Sequence, residues 1–138
     1  MSQIDNVTSS AVPANSKALV WIGWVLSALV VLMMGVMPIV LLIANRSMIT
    51  EGVKQQGYPE NVAIPIVIVE IVCALLYAIP QTSVLGAILL TGYLGGAVAT
   101  HVHSGESTWY FAVIFGVVTW LGLLLRDARV RQLLPWRR

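Results

Sequence analysis

The sequence predicts an all-α protein: a four-helix transmembrane bundle, antiparallel, with a short interfacial segment in its first loop. Hydrophobic residues make up 58% of the 138-residue chain and charged residues only 10%. The mean hydropathy is +0.85, whereas soluble domains usually carry about 25% charged residues. The few charges cluster outside four apolar blocks, each of which is long enough to cross a bilayer.

The first predicted span covers residues 18–43, which carry no charge and can cross the membrane with some tilt. Pro38 should kink its C-terminal part. The connection after it, residues 44–61, is the one long loop, and its apolar residues predict a short helix at the membrane interface. The polar residues 1–16 are expected to be disordered and not to form a signal peptide.

The remaining spans are predicted at residues 62–79, 84–102 and 109–125. Pro80 ends the second span, and Thr82 or Ser83 can cap the third. The link between these two spans is so short that they must form an antiparallel hairpin. The membrane domain therefore covers residues 17–126.

Basic residues predict the orientation. With four spans both termini lie on one side, which holds six basic residues: Lys17, Arg126, Arg129, Arg131, Arg137 and Arg138. The other side holds Arg46 and Lys54. We therefore expect a multi-pass protein of the plasma (inner) membrane with cytoplasmic termini. Residues 127–138 would form a basic cytoplasmic tail that contacts lipid rather than nucleic acid.

Glu70 lies in the middle of the second span, where a charge costs at least a few kcal/mol. No lysine or arginine is expected at its depth, so we expect Glu70 to be protonated or strongly hydrogen-bonded. The hairpin places Thr91 and Tyr93 at that depth as donors. On its own helix Glu70 shares a face with Cys73, Ala74 and Tyr77. Two roles stay open: a ligand-binding or proton-relay acid, and a buried polar clamp between helices.

Small residues form a smooth strip on the third span, namely Gly92, Gly95, Gly96, Ala99 and Thr100. In lipid such strips let helix backbones approach closely. We expect this strip to pack against other helices inside the bundle. The alternative interpretation is that the strip lets a ligand approach the helix closely.

His101 and His103 stand at the outward end of the third span and are candidate members of a ligand or proton site. Residues two apart do not share a helix face, so these two histidines make a poor metal or haem pair, and no metal site is predicted. The structural interpretation, which we favour, is that both histidines are interfacial residues at the end of a helix. Glu70 and His101 should differ in depth by about 13 Å, a gap that a water chain or a quinone-sized molecule would bridge.

The run EIVCALLYAIPQTSVLGAILLTGYLGGAVATHVHSGE, residues 70–106, together with Gly57-Tyr58-Pro59, resembles the DoxX-like family of small four-span membrane proteins. The resemblance covers about residues 18–125. By position, five residues match the family's polar signature: Glu70, Tyr77, Thr82, Tyr93 and His101. Characterised members resemble membrane subunits of redox systems, such as a quinone-linked thiosulfate oxidation complex.

The resemblance implies a non-catalytic membrane subunit or accessory of a quinone-linked redox system. The alternatives are a small proton-coupled transport or permeation protein, and a structural protein in which Glu70 is a clamp. A stand-alone enzyme is disfavoured because the sequence has one cysteine, no phosphate loop and no catalytic triad pattern. Expected partners are the lipid bilayer, a redox subunit and a second copy of the chain. The residues identify no cofactor, and the resemblance leaves room for a quinone.

Overall fold

The computed structural model describes residues 17–133, in which the regular elements are helices. They are α1 (Lys17–Val31), a π-helical segment (Leu32–Val36), α2 (Met37–Ala44), α3 (Arg46–Gln55), a 3₁₀ turn (Glu60–Val62), α4 (Ala63–Ala78), α5 (Ser83–His103), α6 (Trp109–Arg126) and α7 (Ala128–Leu133). The predicted disordered tail, residues 1–16, and the last five residues of the basic tail, 134–138, lie outside the described residues.

Four helices are long and apolar enough to cross a membrane: Lys17–Ala44, Glu60–Ala78, Ser83–His103 and Trp109–Arg126. The all-α fold class is confirmed. The first of these helices is irregular in the middle, where the N–H of Met37 bonds to the carbonyl of Leu32 across a π-helical turn. Pro38 follows directly at the start of α2 and has no N–H for a normal helical bond. The irregular turn lies directly before Pro38, and the kink at Pro38 stays a prediction.

The first loop contains a helix, as predicted, and its location at the interface stays a prediction. The Asn45 side chain accepts a hydrogen bond from the backbone N–H of Met48 and so caps α3. After α3 the chain turns at Gly57, whose φ of +85° favours glycine. The turn carries Tyr58 to α5, where its hydroxyl lies 2.9 Å from the Thr100 hydroxyl.

The link between α4 and α5 brings these helices into close contact. Thr82 occupies the N-cap position of α5, as predicted, but its side chain makes no capping hydrogen bond there; the hydroxyl donates to the Leu76 carbonyl at 2.8 Å and holds the end of α4. A Cβ at Gly86 would overlap the backbone of Tyr77, so the two helices touch there. Farther along both helices, Glu70 contacts Tyr93.

Helices α1 and α6 also meet through glycines. A Cβ on Gly23 would lie 2.5 Å from the Arg126 backbone nitrogen, and one on Gly122 would lie 2.9 Å from the Ser27 hydroxyl. Tyr77 is fully buried beside this contact, and its hydroxyl reaches both helices, at Ser27 of α1 and Thr119 of α6. We call this region, defined by Gly23, Tyr77, Gly86 and Gly122, the sealed end of the bundle.

The predicted packing of the α5 strip inside the bundle is wrong within the described chain. Gly92, Gly95, Gly96 and Ala99 are exposed, and a Cβ on any of the three glycines would meet no atom within 4 Å. Helix α5 turns another face inward, which carries Gly86, Ala87, Leu90 and Leu94. That face buries larger apolar side chains, and dispersion contacts of this kind drive helix association in lipid.

Candidate functional site

Glu70 and Tyr93 form a hydrogen bond between α4 and α5. The Tyr93 hydroxyl donates to Oε2 of Glu70 at 2.8 Å, and both residues are half-buried. The predicted donation from Tyr93 is confirmed. Among the residues of the described chain, no lysine or arginine pairs with Glu70.

Thr91 was the second predicted donor to Glu70, and this prediction is wrong. The Thr91 hydroxyl donates to the Ala87 carbonyl at 2.7 Å and accepts a hydrogen bond from the Trp120 indole at 2.8 Å. Residues two apart lie on nearly opposite faces of a helix. With Tyr93 turned toward α4, Thr91 must therefore face α6.

Tyr77 also lies away from Glu70. Its hydroxyl donates to the Thr119 carbonyl at 2.8 Å and lies 3.0 Å from the Ser27 hydroxyl. Tyr77 shares the inward face of α4 with Glu70, but seven residues separate them by about 10 Å along the helix. Tyr77 therefore joins α1, α4 and α6 at the sealed end and takes no part in the site around Glu70.

Two of the exposed glycines, Gly92 and Gly96, form the floor of a cavity of about 460 Å³. We call it the glycine cavity and define it by Gly92, Tyr93, Gly96, Thr100 and His101. Tyr93, bonded to Glu70, lines its deep end, and His101 lines its outer end. Residues of α3 and the turn after it, among them Gln56, cover the cavity. The strip thus provides open space beside α5.

A second cavity, of about 280 Å³, lies on the other side of Glu70. Its walls come from the irregular part of the first span, including Met33 and Pro38, and from Ile49 of α3. We call it the proline cavity. The hydrogen-bonded pair of Glu70 and Tyr93 thus lies between two cavities, because Glu70 lines one and Tyr93 lines the other.

A third, more polar cavity of about 630 Å³ adjoins the glycine cavity. The two share Tyr58 and Thr100, so the hydrogen bond between these hydroxyls lies at their common wall. His103 lines this outer cavity, whereas His101 lines the glycine cavity. The two histidines therefore do not converge on one site.

His101 is held by Glu106, a residue that the sequence analysis did not single out. Nδ1 of His101 lies 2.6 Å from Oε2 of Glu106, and the Thr108 hydroxyl donates to the same oxygen at 3.1 Å. Gly105, with a φ of +71°, makes the turn that brings Glu106 back to the helix end. The sequence signal was an acid five residues after a histidine, with a glycine between them.

The hydrogen bond from His101, followed by that from Thr108, lowers the pKa of the Glu106 carboxyl below its usual value. Because the folded pKa is lowered, the stabilisation is present above the unfolded pKa and is lost as the pH falls through the folded pKa. We expect an acid titration of Glu106, followed by NMR of its side-chain carboxyl carbon, to show a midpoint below the ordinary glutamate range.

The matched variant for this titration is His101→Phe, which removes the main donor to Glu106. Its Glu106 midpoint should rise toward the ordinary value for glutamate. Equal midpoints in the two proteins would contradict the contact between His101 and Glu106.

The comparisons with known proteins bear on this arrangement. The model of the DoxX-like family matches residues 25–122, more than half of the chain, and this range includes Glu70, Tyr93 and His101. Neither the curated proteins nor the solved structures gave a match. The family match and the four membrane-capable helices show that the protein is an integral, multi-pass membrane protein. The type of membrane and the side on which the termini lie stay predictions. The chain belongs to the DoxX-like family.

Proposed function

We propose that this DoxX-like protein binds a quinone in the glycine cavity and serves as a non-catalytic membrane subunit of a redox system. The observation that carries the proposal is the cavity itself, about 460 Å³ in volume, with a glycine floor and polar groups at both ends. Ligand pockets commonly measure about 300–1,000 Å³ and combine apolar walls with a few orienting polar groups.

The shape of the cavity suits a flat ring with an oxygen atom on each of two opposite edges. Gly92 and Gly96 leave the floor free of side chains, so a planar ring can lie against the α5 backbone. Tyr93 and His101 lie at opposite ends, about 12 Å apart along the helix axis. This spacing leaves room for a ring with one oxygen atom near each end. The family resemblance to quinone-linked systems gives separate support.

A transport path through Glu70 has less support. The glycine and proline cavities both reach residues of α3, at Val53 and Ile49 respectively, so both lie on the α3 side of the bundle. In the other direction Ala74 and Tyr77 are fully buried. A site reached from one side fits ligand binding better than permeation. A purely structural clamp would account for the hydrogen bond to Tyr93, but not for the cavities beside it.

Two leucine variants of α5 test the proposal. In lipid nanodiscs, the wild-type protein should take up a short-chain ubiquinone saturably, beyond the amount that empty nanodiscs absorb. Gly96→Leu should lower that affinity at least tenfold, because its side chain would occupy the cavity. Equilibrium dialysis against empty nanodiscs measures both values.

The matched control is Gly95→Leu. Gly95 lies next to Gly96, has the same open space for a Cβ, and lines a groove between α5 and α6 instead of the glycine cavity. Its affinity should stay within about twofold of the wild type. Uptake no greater than that of empty nanodiscs, or equal loss in the two leucine variants, would refute the proposal.

A further inference from the structure

We infer that the glycine cavity selects the reduced, dihydroxy form of a quinone over the oxidised form, because hydrogen-bond acceptors face the ligand at both ends of the cavity. This inference rests on the proposed function and adds the redox form of the ligand. It follows from the hydrogen bonds that Tyr93 and His101 already donate to other residues of the protein.

At the deep end of the cavity, the Tyr93 hydroxyl already donates its hydrogen bond to Glu70. A phenol has one O–H, and that of Tyr93 is donated to Oε2 of Glu70 at 2.8 Å. The Tyr93 oxygen can therefore only accept a hydrogen bond from a ligand in the cavity. A protonated carboxyl would keep a carbonyl oxygen that accepts the same bond.

At the outer end of the cavity, Nδ1 of His101 already donates its proton in a hydrogen bond to Glu106. The 2.6 Å contact joins Nδ1 to a carboxylate oxygen, and an ionised carboxylate only accepts hydrogen bonds. The lowered pKa of Glu106 supports its ionised state. His101 lines the cavity, and because its Nδ1 is taken by Glu106, Nε2 is the ring nitrogen that remains for a ligand. In the neutral imidazole with a proton on Nδ1, Nε2 is an acceptor.

The other polar groups of the cavity favour neither redox form. One of the hydroxyls of Tyr58 and Thr100 donates to the other and the second keeps its own O–H, while the Gln56 amide can both donate and accept. An oxidised quinone ring brings two carbonyl oxygens, which would face lone pairs at both ends. A hydroquinone ring brings two O–H donors in the same places. Glu106 is thus a positioning residue that acts through His101.

The test compares two probes on the full chain in nanodiscs, under anaerobic conditions at pH 8: a short-chain ubiquinol and the corresponding ubiquinone. We expect the ubiquinol to bind roughly tenfold more tightly, the order of effect that one unpaired polar group produces. His101→Phe and Glu106→Ala should each reduce this affinity ratio severalfold, because the first removes the acceptor at the outer end and the second frees the Nδ1 proton of His101. His103→Phe, outside the glycine cavity, should leave the ratio unchanged.

The affinity ratio separates ligand selection from a merely structural role, because a loosened fold would weaken both probes together. A ubiquinone that binds as tightly as the ubiquinol, or a loss shared equally by both probes in His101→Phe, would overturn the inference and leave the proposed function standing. If neither probe binds beyond empty nanodiscs, both fail.

A second measurement does not depend on how well the variants fold. Nitrogen-15 NMR of His101 in the wild-type protein at pH 8 should show the proton on Nδ1 and none on Nε2. A proton on Nε2 would overturn the inference.

Discussion

Replacing Gly86 with alanine is expected to lower the free energy of unfolding by about 3 kcal/mol or more. The added Cβ would overlap the backbone nitrogen and Cα of Tyr77 and the carbonyl carbon of Leu76. Backbone atoms in a helix cannot rotate away as a side chain can, so α4 and α5 must move apart and lose their contact. Reversible unfolding in mixed detergent, followed by circular dichroism, measures the change.

Gly95→Ala is the matched control on the same helix. Its Cβ would meet nothing within 4 Å, and alanine favours a helix over glycine by up to about 1 kcal/mol. This variant should therefore be as stable as the wild type or slightly more stable. A Gly86→Ala protein as stable as the Gly95→Ala protein would show that α4 and α5 do not touch at Gly86.

Tyr77→Phe is expected to lower the free energy of unfolding by about 1–3 kcal/mol. The change removes one hydroxyl that bonds to the Thr119 carbonyl and contacts the Ser27 hydroxyl, in a residue that is fully buried. The aromatic ring is kept, and with it the contact of the Arg126 guanidinium, 4.8 Å from the ring centre. The same unfolding experiment therefore isolates the hydroxyl.

Tyr110→Phe serves as the control for this change, because Tyr110 is exposed near the start of α6. A surface substitution of this kind should change the stability by no more than about 0.5 kcal/mol. Equal effects of the two substitutions would mean that the Tyr77 hydroxyl contributes nothing to holding the three helices together.

Much of the fold followed from the sequence, because the bilayer imposes simple requirements. A span needs about 20 apolar residues, and four such stretches are evident by composition alone. The break at Pro80 fixed the link between two spans, and the depth argument that followed from it led to the bond between Glu70 and Tyr93.

The sequence did not show which side of α5 faces the interior of the bundle, and the prediction of that side was wrong. Glycines suit a close helix contact and a cavity floor equally well, so Gly92 and Gly96 did not reveal their role. The side that faces inward is set by the combined packing of residues such as Leu90 and Leu94, which is a tertiary effect. The contact of Glu106 with His101 depends on the backbone turn at Gly105, and hydrophobic periodicity carries no information about that turn.

The contrast between the two ends of the bundle has a consequence for how the chain tolerates sequence change. At the sealed end, glycine contacts and the buried Tyr77 leave almost no room for substitution. Beside Gly92 and Gly96 there is open space, and few contacts would be lost if neighbouring side chains changed. Mutations can therefore accumulate around the cavity without unfolding the protein. One scaffold of this kind could acquire a new ligand range while its folding determinants stay fixed.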